Sequence, residues 1–163
     1  MAPVYPLGHH VPLLLSGPHA DAGAAALEAL GMRPAIAGDG IGQASAIKMI
    51  RSVMVKGIEA LSAECFLAAR RAGVAKAALE SLEGSDPAFA WSRRGAYNLE
   101  RMMVHGERRA AEMREAAATL NALGLPDRMS RAAVEWQEAV AAAAADPGAE
   151  DLLARADRLL DRR

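Results

Sequence analysis

Between residues 43 and 72, polar and apolar side chains recur at helical spacing with no proline, and Gly57 is the only glycine. The pattern predicts one helix of about 30 residues, roughly 45 Å long at 1.5 Å per residue. At 100° per residue, Ser45, Lys48, Ser52, Lys56 and Glu59 fall in a single stripe. Ala46, Ile50, Val53, Met54, Gly57, Leu61 and Ala68 fall on the opposite side. The spacing therefore predicts a solvated polar face and an apolar face turned to a core. Gly57 costs about 1 kcal/mol relative to alanine in a helix interior, so close approach by another helix is expected there.

The same reading divides the rest of the chain. "VPLLLSG" (11–17) is a short apolar run closed by Gly17-Pro18 and predicts a buried strand. "ADAGAAALEALG" (20–31) has helical spacing at Ala24, Leu27 and Leu30 and stops at Gly31. "RPAIAG" (33–38) predicts a second strand. Strand, helix and strand in so short a span make one βαβ unit, and two short strands alone are marginal. Beyond Gly73 the pattern predicts helices over 74–83 and 86–92, the latter capped by Asp86 ahead of Pro87. A second long helix is predicted over 94–123, ended by Gly124, and further helices over 127–145 and 148–161. The fold class expected is mainly α, with one long central helix preceded by a small βαβ segment. The domains expected are residues 1–38 and 39–163.

Composition narrows the function classes. The net charge of −1 over 163 residues supplies no field to attract nucleic acid or an anionic membrane. No apolar run approaches the roughly 20 residues that span a bilayer. Cys65 is the only cysteine, which excludes an internal disulfide and suits a reducing compartment. A cytoplasmic protein without bound metal is expected. Half the residues are hydrophobic but only six are aromatic, so the core is expected to be built from small side chains on closely packed helices.

The candidate chemistry centres on "GDGIGQASAIKMIRS" (38–52), where a glycine-spaced entry leads into the long helix and Lys48 lies in its second turn. A lysine covered by a cleft has its pKa lowered toward the range useful for proton transfer. On the second long helix, His105, Arg108 and Arg109 share a face able to bind a carboxylate or phosphate, with Glu107 and Glu112 as local counter-charges. His9 and His10 read as loop histidines, Trp91 and Trp136 as packing anchors, and Cys65 as a core residue of the long helix.

"GxGxxxAxK" ahead of a long helix, with "AECFLAARRAGV" (63–74) closing it, resembles the β-hydroxyacid dehydrogenase family, which includes 3-hydroxyisobutyrate and 6-phosphogluconate dehydrogenases. "ASAIKMIRSVMVKGIEALSAE" and "RMMVHGERRAAEMREAAATLNALG" are similar to the helical C-terminal domain of a 6-phosphogluconate dehydrogenase-like subgroup. The resemblance implies NAD or NADP in the whole enzyme, a small hydroxy-acid substrate, a homodimer, and Lys48 as the general acid/base. It implies a substrate contact at Ser52, where the family usually has asparagine; Ser45, His105, Arg108 and Arg109 are the further candidate substrate contacts on the two long helices. Tyr5 stands in the stretch where many members hold the substrate carboxylate with a serine and two glycines. Gly40 and Gly42 are the candidate cofactor contacts, although "GDGIGQA" lacks a preceding βαβ core and an acidic residue on a second strand. The expectation is the C-terminal part of a dehydrogenase, inactive and weak in nucleotide binding without a GxGxxG domain. The alternative is a non-catalytic helical dimerisation module.

Overall fold

A computed structural model describes residues 7–161. The chain is mainly helical, with a two-stranded parallel sheet near its N-terminus, as the pattern predicts. It forms two compact units that divide after Lys48, inside the long helix.

The first unit holds β1 (Pro12–Ser16), α1 (Ala20–Ala29) and β2 (Arg33–Gly38). β1 and β2 pair in parallel, Leu14 against Ala35 and Leu15 against Ile36, with an irregularity between Leu15 and Ser16. Gly31 adopts a positive φ of 75° and closes α1, a conformation glycine reaches without steric cost. Within this unit β1 is only half covered: Leu14 is exposed, which corrects the expectation of a buried strand. Two strands and one helix cannot enclose both faces of a sheet. His9 and His10 lie on an exposed 3₁₀ turn.

The second unit is a helical bundle. The long helix α2 (Gln43–Arg71) enters it, followed by α3 (Ala75–Ser85), α4 (Trp91–Ala122), α5 (Arg128–Ala142) and α6 (Leu152–Leu160). The predicted helix over 86–92 is replaced by a 3₁₀ turn, Pro87–Phe89, after which α4 starts at Trp91. Asp86 makes no side-chain cap there, contrary to expectation. The last helix starts later than its pattern suggested, where the Asp151 carboxylate accepts from the Ala154 amide at 2.7 Å.

Small residues dominate the core. One cluster joins Ala63, Phe66 and Leu67 of α2 to Leu99, Met102, Val140, Leu152 and Leu159, with Trp91 and Trp136 packed against it as anchors. A second cluster gathers Ala60, Ala110, Met113, Ala116, Ala133 and Val134. Two glycines set the close contacts. A Cβ on Gly95 would lie 2.7 Å from the Phe66 ring, and one on Gly106 would lie 2.5 Å from the Gln137 carbonyl oxygen. The second contact is to backbone, so α5 would have to move as a whole. Arg155 ties α6 down, donating to the carbonyls of Ala96 (2.6 Å) and Pro147 (3.1 Å), and Arg70 meets Asp157 in a two-pronged pair.

Gly106→Ala is expected to cost about 1–3 kcal/mol of stability through overpacking, measured by chemical denaturation. Gly84→Ala, where a Cβ would meet nothing within 4 Å, is the control and should leave stability unchanged or raised.

Candidate functional site

The polar stripe of α2 does not face solvent as one surface. Ser45 and Lys48, in its first turns, are exposed, whereas Ser52, Lys56 and Glu59 are buried. The apolar side shows the converse: Ile50, Met54 and Leu61 are exposed, and so are Ala68 and Cys65. The expectations of a solvated polar face and of Cys65 in the core are both corrected. The physical reason lies in the C-terminal half of the helix. Ala63, Phe66 and Leu67 continue the angular stripe of Ser52, Lys56 and Glu59, so the face that packs Phe66 necessarily carries the polar residues inward. Gly57 has no atom within 4 Å of a would-be Cβ, so the close neighbour expected there is absent among the described residues.

Buried charge is tolerated only when paired and hydrogen-bonded, and α4 and α5 supply the partners. Arg109 grips Glu59 with both Nε, at 2.8 Å, and Nη2, while Gln137 Nε2 donates to Glu59 Oε2 at 2.8 Å. One turn away, Lys56 Nζ donates to Ser52 Oγ at 3.1 Å and meets Glu112 Oε2 at 3.0 Å, and Arg108 binds the other Glu112 oxygen. Asn98 Nδ2 donates to Ser62 Oγ at 2.8 Å. The result is a polar seam along the inner face of α2.

Its electrostatics follow from these contacts. Burial raises the Glu112 pKa, but the Lys56 hydrogen bond and charge, with Arg108 and Arg109, outweigh it and hold the carboxyl below the usual range. His105 is pushed down, first by burial and then by Arg101, Arg108 and Arg109 against the opposing pull of Glu100. Its imidazole is therefore neutral at pH 7.

The candidate residues separate accordingly. Gly40, Gly42, Ser45 and Lys48 belong to the first unit, where they shape the start of α2. Ser16 Oγ accepts from the Ala44 amide at 3.0 Å, and Gln43 Oε1 accepts from the Gly40 amide at 3.1 Å. The Gln43 side chain also fills the space beside Gly38 and Gly40. In the second unit Ser52 and Arg108 are joined through Lys56 and Glu112, while Arg109 turns inward to Glu59. Tyr5 lies outside the described residues. Lys56 and Glu112 were not singled out as site residues; the signal for Lys56 was its position one turn beyond Ser52 on the face that also carries Phe66. Among the described residues, no group of three or more His, Cys, Asp and Glu side chains is placed to hold a metal ion.

Comparison with known proteins agrees with this architecture. Residues 69–140 match a domain of unknown function, DUF1932. The chain is similar over its whole length to a conserved hypothetical protein from Sinorhizobium meliloti 1021, with 42% identity and a TM-score of 0.86. It is also similar over 86% of its length, at 28% identity and a TM-score of 0.75, to the conserved protein MTH1747, described as of unknown function and structurally similar to 3-hydroxyacid dehydrogenases. The chain spans 56% and 53% of the lengths of these two proteins. No curated protein matches it. The chain thus carries a DUF1932 domain on a fold related to that of 3-hydroxyacid dehydrogenases, with a small βαβ unit at its N-terminus.

Two outcomes are expected of the seam. Glu59→Gln leaves Arg109 buried without a counter-charge and should cost about 3–5 kcal/mol, whereas Glu59→Leu combined with Arg109→Met should lose less than Arg109→Met alone in the same denaturation experiment. Because the Glu112 pKa is depressed by folding, its contribution is present above the unfolded value of about 4.3 and is lost as pH falls through the lower folded value. Glu112→Gln should flatten the acid limb of the stability curve below about pH 4.5.

Proposed function

We propose that this chain is the C-terminal part of an NAD(P)-dependent dehydrogenase of small hydroxy acids, with Lys48 as the general acid/base on the substrate hydroxyl. The observation that carries the reading is the glycine-spaced loop running into the capped start of α2 with Lys48 in the second turn, in a chain whose fold is related to that of 3-hydroxyacid dehydrogenases. Lys48 is exposed on α2.

A nicotinamide nucleotide would supply the hydride acceptor in the whole enzyme. The described residues do not fit its pyrophosphate on their own, because the Gly40 amide is already bonded to Gln43 and the space beside Gly38 and Gly40 is filled by that side chain. The residues of this chain contribute proton handling and substrate orientation. As alcohol becomes carbonyl, Lys48 Nζ takes the hydroxyl proton, and in the reverse direction it returns it. A second reading, a non-catalytic helical association module, is favoured by the exposed apolar face of α2.

The two readings separate in the enzyme joined to its nucleotide-binding partner segment. Lys48→Ala should lower kcat by about 10²–10⁴ with little change in melting temperature, since lysine and alanine have similar helix propensities. Lys48→Arg should fail equally, because arginine does not deprotonate near neutral pH. NAD(P)H-linked turnover of short hydroxy acids is the measurement, and activity retained within a few-fold in Lys48→Ala would refute the assignment.

A further inference from the structure

Residues 39–42 join β2 to α2, and in them Asp39 is followed by Gly40. This is the one aspartate of the sequence with a glycine after it, and no asparagine has one. Asp39 is exposed. An aspartate in this setting carries a reactive pair of atoms. The backbone nitrogen of the next residue and the side-chain carboxyl carbon can close a five-membered ring, and a glycine has no side chain to block the approach. A bond then forms between Gly40 N and Asp39 Cγ. The Cγ–OH bond of the protonated carboxyl breaks, and the amide hydrogen and the hydroxyl leave as water. Water next opens the succinimide at one of its two carbonyls. Opening at one restores aspartate; opening at the other leaves isoaspartate, with the chain running through Cβ. The two products have equal mass, and no oxidant, reductant or second substrate takes part.

One side chain restrains this step. Gly40 N–H donates to Gln43 Oε1 at 3.1 Å, and the Gln43 amide donates to the Gly40 carbonyl oxygen at 3.3 Å. Gln43 therefore holds Gly40 by its nitrogen and by its oxygen. The carboxamide also lies against Gly38 and Gly40, the residues on either side of Asp39, and a Cβ on Gly40 would sit 2.9 Å from Gln43 Cδ. For the ring to close, Gly40 N must lose its proton and turn toward Asp39 Cγ. Both movements take the N–H away from Gln43 Oε1. Gln43 is itself fixed as the first residue of α2, whose start is tied to β1 by the 3.0 Å bond from the Ala44 amide to Ser16 Oγ. The restraint thus exists only once α2 has formed beside β1.

We propose that Asp39 is a site of spontaneous isoaspartate formation, and that the Gln43 carboxamide holds it closed in the folded chain. Isoaspartate here would put one more carbon into the backbone of the short link between β2 and α2. The proposal stands on this link and is independent of any chemistry at Lys48.

The test ages the full chain near neutral pH at physiological temperature, followed by peptide mapping. Isoaspartate at residue 39 appears as a second peptide of identical mass that accepts a methyl group from an isoaspartyl methyltransferase. The native chain should form it several-fold more slowly than the same chain unfolded in urea. Gln43→Met keeps the side-chain volume and removes the acceptor. It should speed the native reaction by about two- to tenfold, the factor of one net hydrogen bond, with an unchanged denaturation midpoint. Gln43→Glu keeps an acceptor and should be no faster than the original. Hydrogen exchange at the Gly40 amide gives a reading on the unsubstituted chain alone and should be slower in the native than in the unfolded state. A native chain that isomerises as fast as the unfolded one, a Gln43→Met rate equal to the original, equal acceleration in Gln43→Glu, or an unprotected Gly40 amide would each overturn the proposal.

Discussion

The buried pair of Glu59 and Arg109 is the contact on which the helical unit depends. Its energetic value is modest by itself, since the desolvation of two charges offsets most of their attraction. Its value lies in register. The inner faces of these helices are rich in alanine, and an alanine surface looks much the same after a slip of one turn. A carboxylate held by two guanidinium nitrogens and by Gln137 does not survive such a slip. Lys56 with Glu112 and Ser62 with Asn98 follow in antiparallel order on either side of it, so a displaced α2 would strand several buried polar groups at once. Long side chains here do what bulky aromatic residues do in other cores: they fill the space between helices and specify one arrangement of them.

That device is also why the sequence pattern misled at α2. Helical periodicity locates a helix and separates its faces, but it labels the polar face as the outer one. The first half of α2 carries Ile50 and Met54 on one side, with Leu61 in line beyond them, and the second half carries Phe66 and Leu67 on the other. The two halves disagree about which side is inward. Phe66 and Leu67 prevail because they enter the larger cluster with Leu99, Met102 and Leu159, and the polar residues in line with them are carried inside. Charged partners for Lys56 and Glu59 were present at 109 and 112, but matching residues fifty positions apart requires knowing how the helices pair.

Other parts were legible for local reasons. Strand, helix and strand near the N-terminus, the two long helices and the stops at Gly31, Gly73 and Gly124 each rest on signals within a few residues, and each glycine adopts positive φ as a helix stop requires. The break before α4 was not legible, because Asp86-Pro87 satisfies both a helix start and a 3₁₀ turn. For the site, motif spacing placed Lys48 at the start of the long helix, where the structure also puts it. Motif spacing could not show that Ser52 is held by a lysine buried beside it, since that contact arises only when α4 covers the helix.

Burying a polar stripe has a consequence for the opposite face. A helix has a limited set of apolar positions, and once the interior face of α2 is committed to ion pairs that fix register, the larger apolar residues of its first half are left outside. Exposure of Ile50, Met54 and Leu61 on one edge is thus the counterpart of burying Ser52, Lys56 and Glu59 on the other. A contiguous apolar edge of this kind has a standing cost in water and marks a contact surface. Helix α2 therefore works through both faces. The polar inner face determines which helices of the same chain can lie against it and in what register. The apolar outer face keeps Ile50, Met54 and Leu61 exposed.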